Sequence, residues 1–208
     1  MNKKKLLIVY GICIVPIMLM AVYVLTKSLG KTVGYIAAYS LYLFLLCIGI
    51  WKFNKDERKI KRCSNKYSGI YYAVSFIPVI ATFLVAYLPQ MESYTSKVMV
   101  IVIAYATLNG TLEELFWRYT YNNVFGDDIV RSYIWPTLNF TCWHFALLLA
   151  NGMTYTGGAL ALVGGAGVMG IIWGLMMYKT HNIKVAILAH VCVNFCAFSQ
   201  LVYENWFI

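Results

Sequence analysis

Residues 98–121 read VMVIVIAYATLNGTLEELFWRYTY. The run is long enough to cross a bilayer as a helix, which takes about 20 residues. Yet it carries two adjacent carboxylates and an arginine, Glu113, Glu114 and Arg118. Strands of a membrane barrel would be about half as long and would alternate in polarity; this run does neither. Six further apolar runs lie outward from it, at 6–26, 32–51, 69–88, 133–150, 159–178 and 185–203. Of the 208 residues, 61% are hydrophobic and 12% charged, against about half and about a quarter in a soluble domain. That balance excludes a soluble domain, a disordered chain, a collagen-like repeat and a coiled coil. The expected fold is all-α, a polytopic transmembrane helix bundle of about seven spans (six to eight). It forms a single integral membrane domain over 1–208, with a motif-bearing core over 98–203.

A net charge of +9 would suit a nucleic-acid partner, but the charges lie in short stretches between apolar runs. They read as a topology signal, with the lipid bilayer and no nucleic acid as the partner. With the N-terminus inside, the inner side holds Lys3, Lys4, Lys5, Arg131, Lys179, Lys184 and seven basic residues of the 52–68 loop (Lys52, Lys55, Arg58, Lys59, Lys61, Arg62, Lys66). The outer side holds Lys27, Lys31 and Lys97. Cytoplasmic loops carry the excess of Lys and Arg, so the expectation is a multi-pass protein of the cell membrane with a cytosolic N-terminus. The first run is long for a signal peptide and lacks a small-residue cleavage site before Lys27, so it is expected to be retained. Five of the six cysteines (Cys13, Cys47, Cys142, Cys192, Cys196) fall inside apolar runs and the sixth, Cys63, in the basic loop, without the pairing of a disulfide framework.

Ionisable groups inside the spans carry the functional reading. A charge at the bilayer centre costs about 2.5–3.5 kcal/mol even on the lenient insertion scale, so an intramembrane acid or base is first read as a site. The fourth run has Glu113, Glu114 and Arg118, the fifth His144, and the seventh His190 and Asn194. Residues four apart share a helix face. Glu114 can therefore pair with Arg118, while Glu113, turned about 100 degrees away, is expected to point elsewhere as an unpaired carboxylate. Phe140 lies one turn from His144, and His190 one turn from Asn194. At about 1.5 Å per residue, Glu113, His190 and His144 lie roughly 12, 8 and 16 Å from the inner ends of their spans. Comparable depths and short polar patches suit a localised site rather than a pore. Taken singly, each group also has a structural role open to it: a buried ion pair, or an interhelical hydrogen bond.

Three motifs occur in order on separate spans: Glu113-Glu114-Leu115-Phe116-Trp117-Arg118 (EExxxR), Phe140-Thr141-Cys142-Trp143-His144 (FxxxH) and His190-Val191-Cys192-Val193-Asn194 (HxxxN). Together they resemble the CPBP family, also called Abi, which includes type II CAAX prenyl endopeptidases and bacteriocin-processing or immunity proteins. The resemblance covers roughly residues 98–203. Tyr119 departs from it, standing where a glycine commonly follows the motif arginine, and seven spans are fewer than the eight typical of the prenyl endopeptidases.

The resemblance implies an intramembrane glutamate-dependent endopeptidase acting on a membrane-associated or lipid-modified peptide or protein. By the same resemblance, Glu113 is the general base for a water, helped by His144. His190 and Asn194 form the oxyanion hole, and Glu114, Arg118 and Phe140 support them. The chemistry is coherent, because amide hydrolysis needs a deprotonated water and donors for the developing oxyanion. No cofactor is expected. Two alternatives stand beside this reading. One is a zinc-dependent intramembrane protease using two histidines and a carboxylate; the other is a non-catalytic bacteriocin immunity or interaction protein.

Overall fold

The computed structural model describes residues 2–55 and 68–208. Seven helical rods run through them: α1 (Lys3–Leu29), α2 (Lys31–Phe53), α3 (Ser68–Ser93), α4 (Ser96–Phe125), α5 (residues 130–147), α6 (Leu160–Thr180) and α7 (Ile183–Trp206). Six are long and apolar enough to cross a membrane. The other, α5, is shorter and carries Arg131, Pro136, Asn139 and His144. The fold is thus a polytopic helical bundle, and the chain reads as a multi-pass membrane protein. Of the expected topology signal, Arg58, Lys59, Lys61, Arg62 and Lys66 lie outside the described residues, as does Cys63.

Large hydrophobic side chains remain exposed on most rods, Met20, Phe44, Val85, Val100, Leu160 and Leu188 among them. In water such a surface would be a liability; in hydrocarbon it is the solvated face. Helices in lipid gain little from apolar burial against one another and associate through close packing and polar contacts instead. The glycines show this. Gly30, with φ +79, turns the chain between α1 and α2, and Gly34 lets α2 lie directly on the Leu25 carbonyl of α1. On α6, the Gly170 carbonyl accepts from Thr137 Oγ1 at 3.3 Å, and a Cβ at Gly174 would meet Tyr133 at 2.9 Å. The small-residue face of α6 is therefore used for packing against α5.

The contact that matters most for the site joins α4 to α7. A Cβ on Gly110 would stand 3.0 Å from the Val191 nitrogen and 3.3 Å from the His190 carbonyl carbon. A side chain there would press on the α7 backbone more tightly than most real contacts, one turn before Glu113. Gly110→Ala is expected to cost about 1–3 kcal/mol, the usual penalty of overpacking, read as earlier thermal unfolding of the detergent-solubilised protein.

The end of the bundle that holds the 151–158 loop is tied together by polar side chains. Thr26 Oγ1 accepts from the Asn151 N–H at 2.9 Å, and Asn205 Oδ1 accepts from the Thr154 N–H at 3.0 Å. Glu204 accepts from Thr156 at 2.6 Å, Gln200 at 2.9 Å and Gln90 at 3.2 Å. This belt joins α1, α3 and α7 to the loop.

Candidate active site

Glu113 is the last α-helical residue of α4 before a π-helical turn, in which the rod widens from Glu114 to Thr120, and α-helix resumes over Tyr121–Phe125. Such wide turns inside a helix are frequent at functional sites. Both Glu113 and Glu114 keep ordinary helical backbone angles. Adjacent carboxylates, expected to diverge, both reach one imidazole on α7. His190 Nδ1–H donates to Glu114 Oε1 at 2.8 Å, and His190 Nε2 stands 3.4 Å from Glu113 Oε2. The two acids and the histidine are each 2% exposed or less.

Each carboxylate has its own supporting set. Glu114 also faces Arg118 Nη1 at 3.3 Å, the pairing expected from their spacing. Its second oxygen is buried without a hydrogen-bond partner. Glu113 is not unpaired. Its Oε1 accepts from the Tyr42 hydroxyl at 2.7 Å, and its Oε2 from Asn109 Nδ2 at 2.9 Å. Behind these donors stand two more: Trp117 Nε1–H donates to the Tyr42 oxygen at 3.0 Å, and the Tyr39 hydroxyl donates to Asn109 Oδ1 at 2.9 Å. Tyr42 is held flat against Trp143, with ring centroids 3.8 Å apart.

Aromatic rings fix the remaining groups. His190 lies beside Trp173 of α6 (4.6 Å between centroids) and edge-on to Phe140 of α5 (6.1 Å). Phe140 also meets the His144 ring at 4.8 Å and takes the Arg118 guanidinium over its face at 4.0 Å. One phenyl ring therefore gathers both imidazoles and the arginine. The indole of Trp173 is itself anchored, donating to the Ser75 carbonyl of α3 at 3.0 Å.

His144 Nδ1 lies 2.7 Å from the Phe140 carbonyl. A carbonyl only accepts, so the proton is on Nδ1 and Nε2 presents a lone pair. Asn194, one turn beyond His190, is buried, and its Nδ2 has no hydrogen-bond partner. The structure thus brings Glu113, Glu114, Arg118, Phe140, His144 and His190 into one contiguous cluster, with Asn194 adjoining it along α7.

Sequence reasoning did not find Tyr39, Tyr42, Asn109, Trp117 or Trp173. A signal was there for three of them. Tyr39 and Tyr42 fall on one face of an apolar span, and Asn109 precedes Glu113 by one turn.

As for a metal, His190 presents its two nitrogens to the carboxylates, and His144 Nδ1 is bonded to a backbone carbonyl. Among the described residues no three His, Cys, Asp or Glu side chains are grouped as ligands. Beside the cluster, a lateral cleft of about 480 Å³ opens between α3, α4 and α7. It is lined by Ile80, Phe83, Ala106, Thr107, Val191 and Cys192 among others.

Fold and cluster define a helical membrane protein with a desolvated acid–imidazole centre. The family model described as Type II CAAX prenyl endopeptidase Rce1-like matches residues 95–196, a segment that contains every motif residue from Glu113 to Asn194. Over that segment the chain is similar to the Rce1-like family, and the match supports a CAAX-type intramembrane endopeptidase in general terms. Neither the curated proteins nor the solved structures gave a match.

Proposed function

We propose that this protein hydrolyses a peptide bond of a membrane-associated or lipid-modified peptide through a water activated by Glu113. The observation that carries the reading is the single imidazole of His190 held between two buried carboxylates, one of them tied to Arg118. A purely structural ion pair needs only Glu114 and Arg118. The second acid, its four-donor support and its access to His190 Nε2 are what proton transfer needs.

In the step itself, Glu113 takes a proton from water while the water oxygen attacks the carbonyl carbon. The lone pair of His144 Nε2 orients that water. The carbonyl electron pair moves onto oxygen, which Asn194 Nδ2–H and His190 Nε2–H receive, with His190 Nδ1–H held by Glu114. As the carbonyl re-forms, the C–N bond breaks and the nitrogen leaves with the proton that Glu113 had taken. Arg118 and Phe140 keep Glu114 and both imidazoles in place. Preorganised donors of this kind act without reorganisation at the moment of reaction.

The lateral cleft supports a substrate arriving from the lipid, since Val191 on its wall follows His190 directly. The distribution of basic residues supports a cell-membrane location with the N-terminus in the cytosol. A peptide precursor of the bacteriocin type and a prenylated C-terminal peptide both suit this route.

Mass spectrometry of membranes carrying the active chain or its Glu113→Gln variant tests the proposal. Peptides that accumulate uncut only with the variant name the substrate. Identical peptide profiles would leave a non-catalytic interaction protein, and cleavage abolished by a chelator would assign the step to a metal. Asn194→Ala is expected to lower kcat by about 10²–10³-fold, as for loss of one oxyanion donor. Thermal unfolding should hardly change, because the amide nitrogen it removes is bonded to nothing in the fold.

A further inference from the structure

We infer that a file of tyrosine hydroxyls carries water to Glu113 from the loop end of the bundle, by a route separate from the substrate cleft. Its role in hydrolysis rests on the peptidase reading; its existence does not.

The file is written as two facing stripes. On α2, Tyr35, Tyr39 and Tyr42 follow at helical spacing; on α4, Tyr105, Asn109 and Glu113 do the same. The ring of Tyr39 lies 5.7 Å from that of Tyr35 and 4.8 Å from that of Tyr105. Tyr105 and, from the 151–158 loop, Tyr155 pack partly buried against the cluster that holds Tyr35 and Tyr39. From Tyr39 the line continues through Asn109 to Glu113 by two bonds of 2.9 Å each. Tyr105 precedes Glu113 by eight residues, about 12 Å along the helix, so the file spans the distance from the polar belt to the acid.

Two members of this file are anomalous as packing residues. The hydroxyls of Tyr105 and Tyr155 are buried and have no hydrogen-bond partner. A buried polar group left bare costs about 1–3 kcal/mol, and phenylalanine would fill the same space without that cost. Tyrosines packed in one cluster, two of them with buried hydroxyls that have no partner, suit a water site, where a buried water makes about three hydrogen bonds. Tyr155 reaches it from a loop whose neighbours Thr154 and Thr156 bond Asn205 and Glu204 at the polar end. The substrate cleft touches α4 through Ala106 and Thr107 rather than through this stripe.

Hydroxyl-radical labelling of the full chain in nanodiscs, driven by X-ray pulses and read by mass spectrometry, tests the file, because radicals formed from bound water mark adjacent side chains. Tyr35, Tyr105 and Tyr155 are expected to label several-fold faster than Tyr121, which is fully buried with its hydroxyl given to the Leu7 carbonyl at 3.3 Å. Tyr155→Phe should slow labelling of Tyr105, and lower kcat toward a cleaved peptide several-fold with KM unchanged. Labelling no faster than that of Tyr121 would overturn the file. Fast labelling with full kcat in the Tyr105→Phe/Tyr155→Phe double variant would overturn its delivery role. Fast labelling in a wild-type chain that cleaves nothing would keep the file and sink the peptidase reading.

Discussion

Glu113→Gln is expected to reduce cleavage by about 10³–10⁴-fold, toward the upper end for a positioned general base, while the protein stays folded at its normal membrane level. The side-chain carbonyl of glutamine keeps the acceptor that Tyr42 bonds, so the shape of the site survives. On the proposed mechanism, what is lost is the ability to take a proton from water. The amide also turns a donor toward either Asn109 or His190, a local cost distinct from the lost chemistry. Thermal unfolding and single-turnover cleavage on the same preparation separate the two. A variant that unfolds normally yet retains wild-type turnover would sink the assignment of Glu113 as base.

The largest effect on stability is expected from Arg118→Ala. Glu114 is fully buried, with His190 and Arg118 as its two partners, so removing the guanidinium strands a carboxylate in a low-dielectric interior. Breaking one side of a buried pair costs about 3–5 kcal/mol, a large share of the roughly 5–15 kcal/mol by which domains are stable. The stacking of Arg118 on Phe140 goes too, adding to the loss. The expected readout is a sharp fall in folded protein recovered from membranes. The double variant Arg118→Ala/Glu114→Gln should recover part of that loss, because the uncompensated charge is gone. If the double variant is no more stable than Arg118→Ala, Arg118 acts by packing and not by neutralising Glu114.

The spans were legible because an apolar run of bilayer length is rare outside a membrane helix. The runs at 6–26 and 32–51 lie inside α1 and α2, and the run at 98–121 lies inside α4. The run at 133–150 overshoots α5, which ends at Leu147 and gives way to the turn leading into the 151–158 loop. Charged site residues were legible for a related reason: Glu113, Glu114 and Arg118 are costly in lipid, so each stands out against an apolar background. Tyr39, Tyr42 and Trp173 did not, since an aromatic side chain in a span is cheap and looks like any other packing residue. Their roles depend on which helix they face, which spacing along one helix does not encode. The convergence of Glu113 and Glu114 on His190 was hidden for a similar reason. It follows from where α7 places the His190 ring, within reach of both long side chains, which the angle between two residues of one helix does not encode.

The two donors that grip Glu113 from α2 and α4 have a consequence for how the chain can be divided. Family likeness begins at residue 95, which invites treating the later rods as a portable catalytic unit. Tyr42, far upstream of that boundary, supplies the short bond to the key acid and braces Trp143 beside His144. A fragment lacking the first hairpin would therefore keep all three signature motifs and still be inert, and supplying the hairpin as a separate polypeptide should revive it.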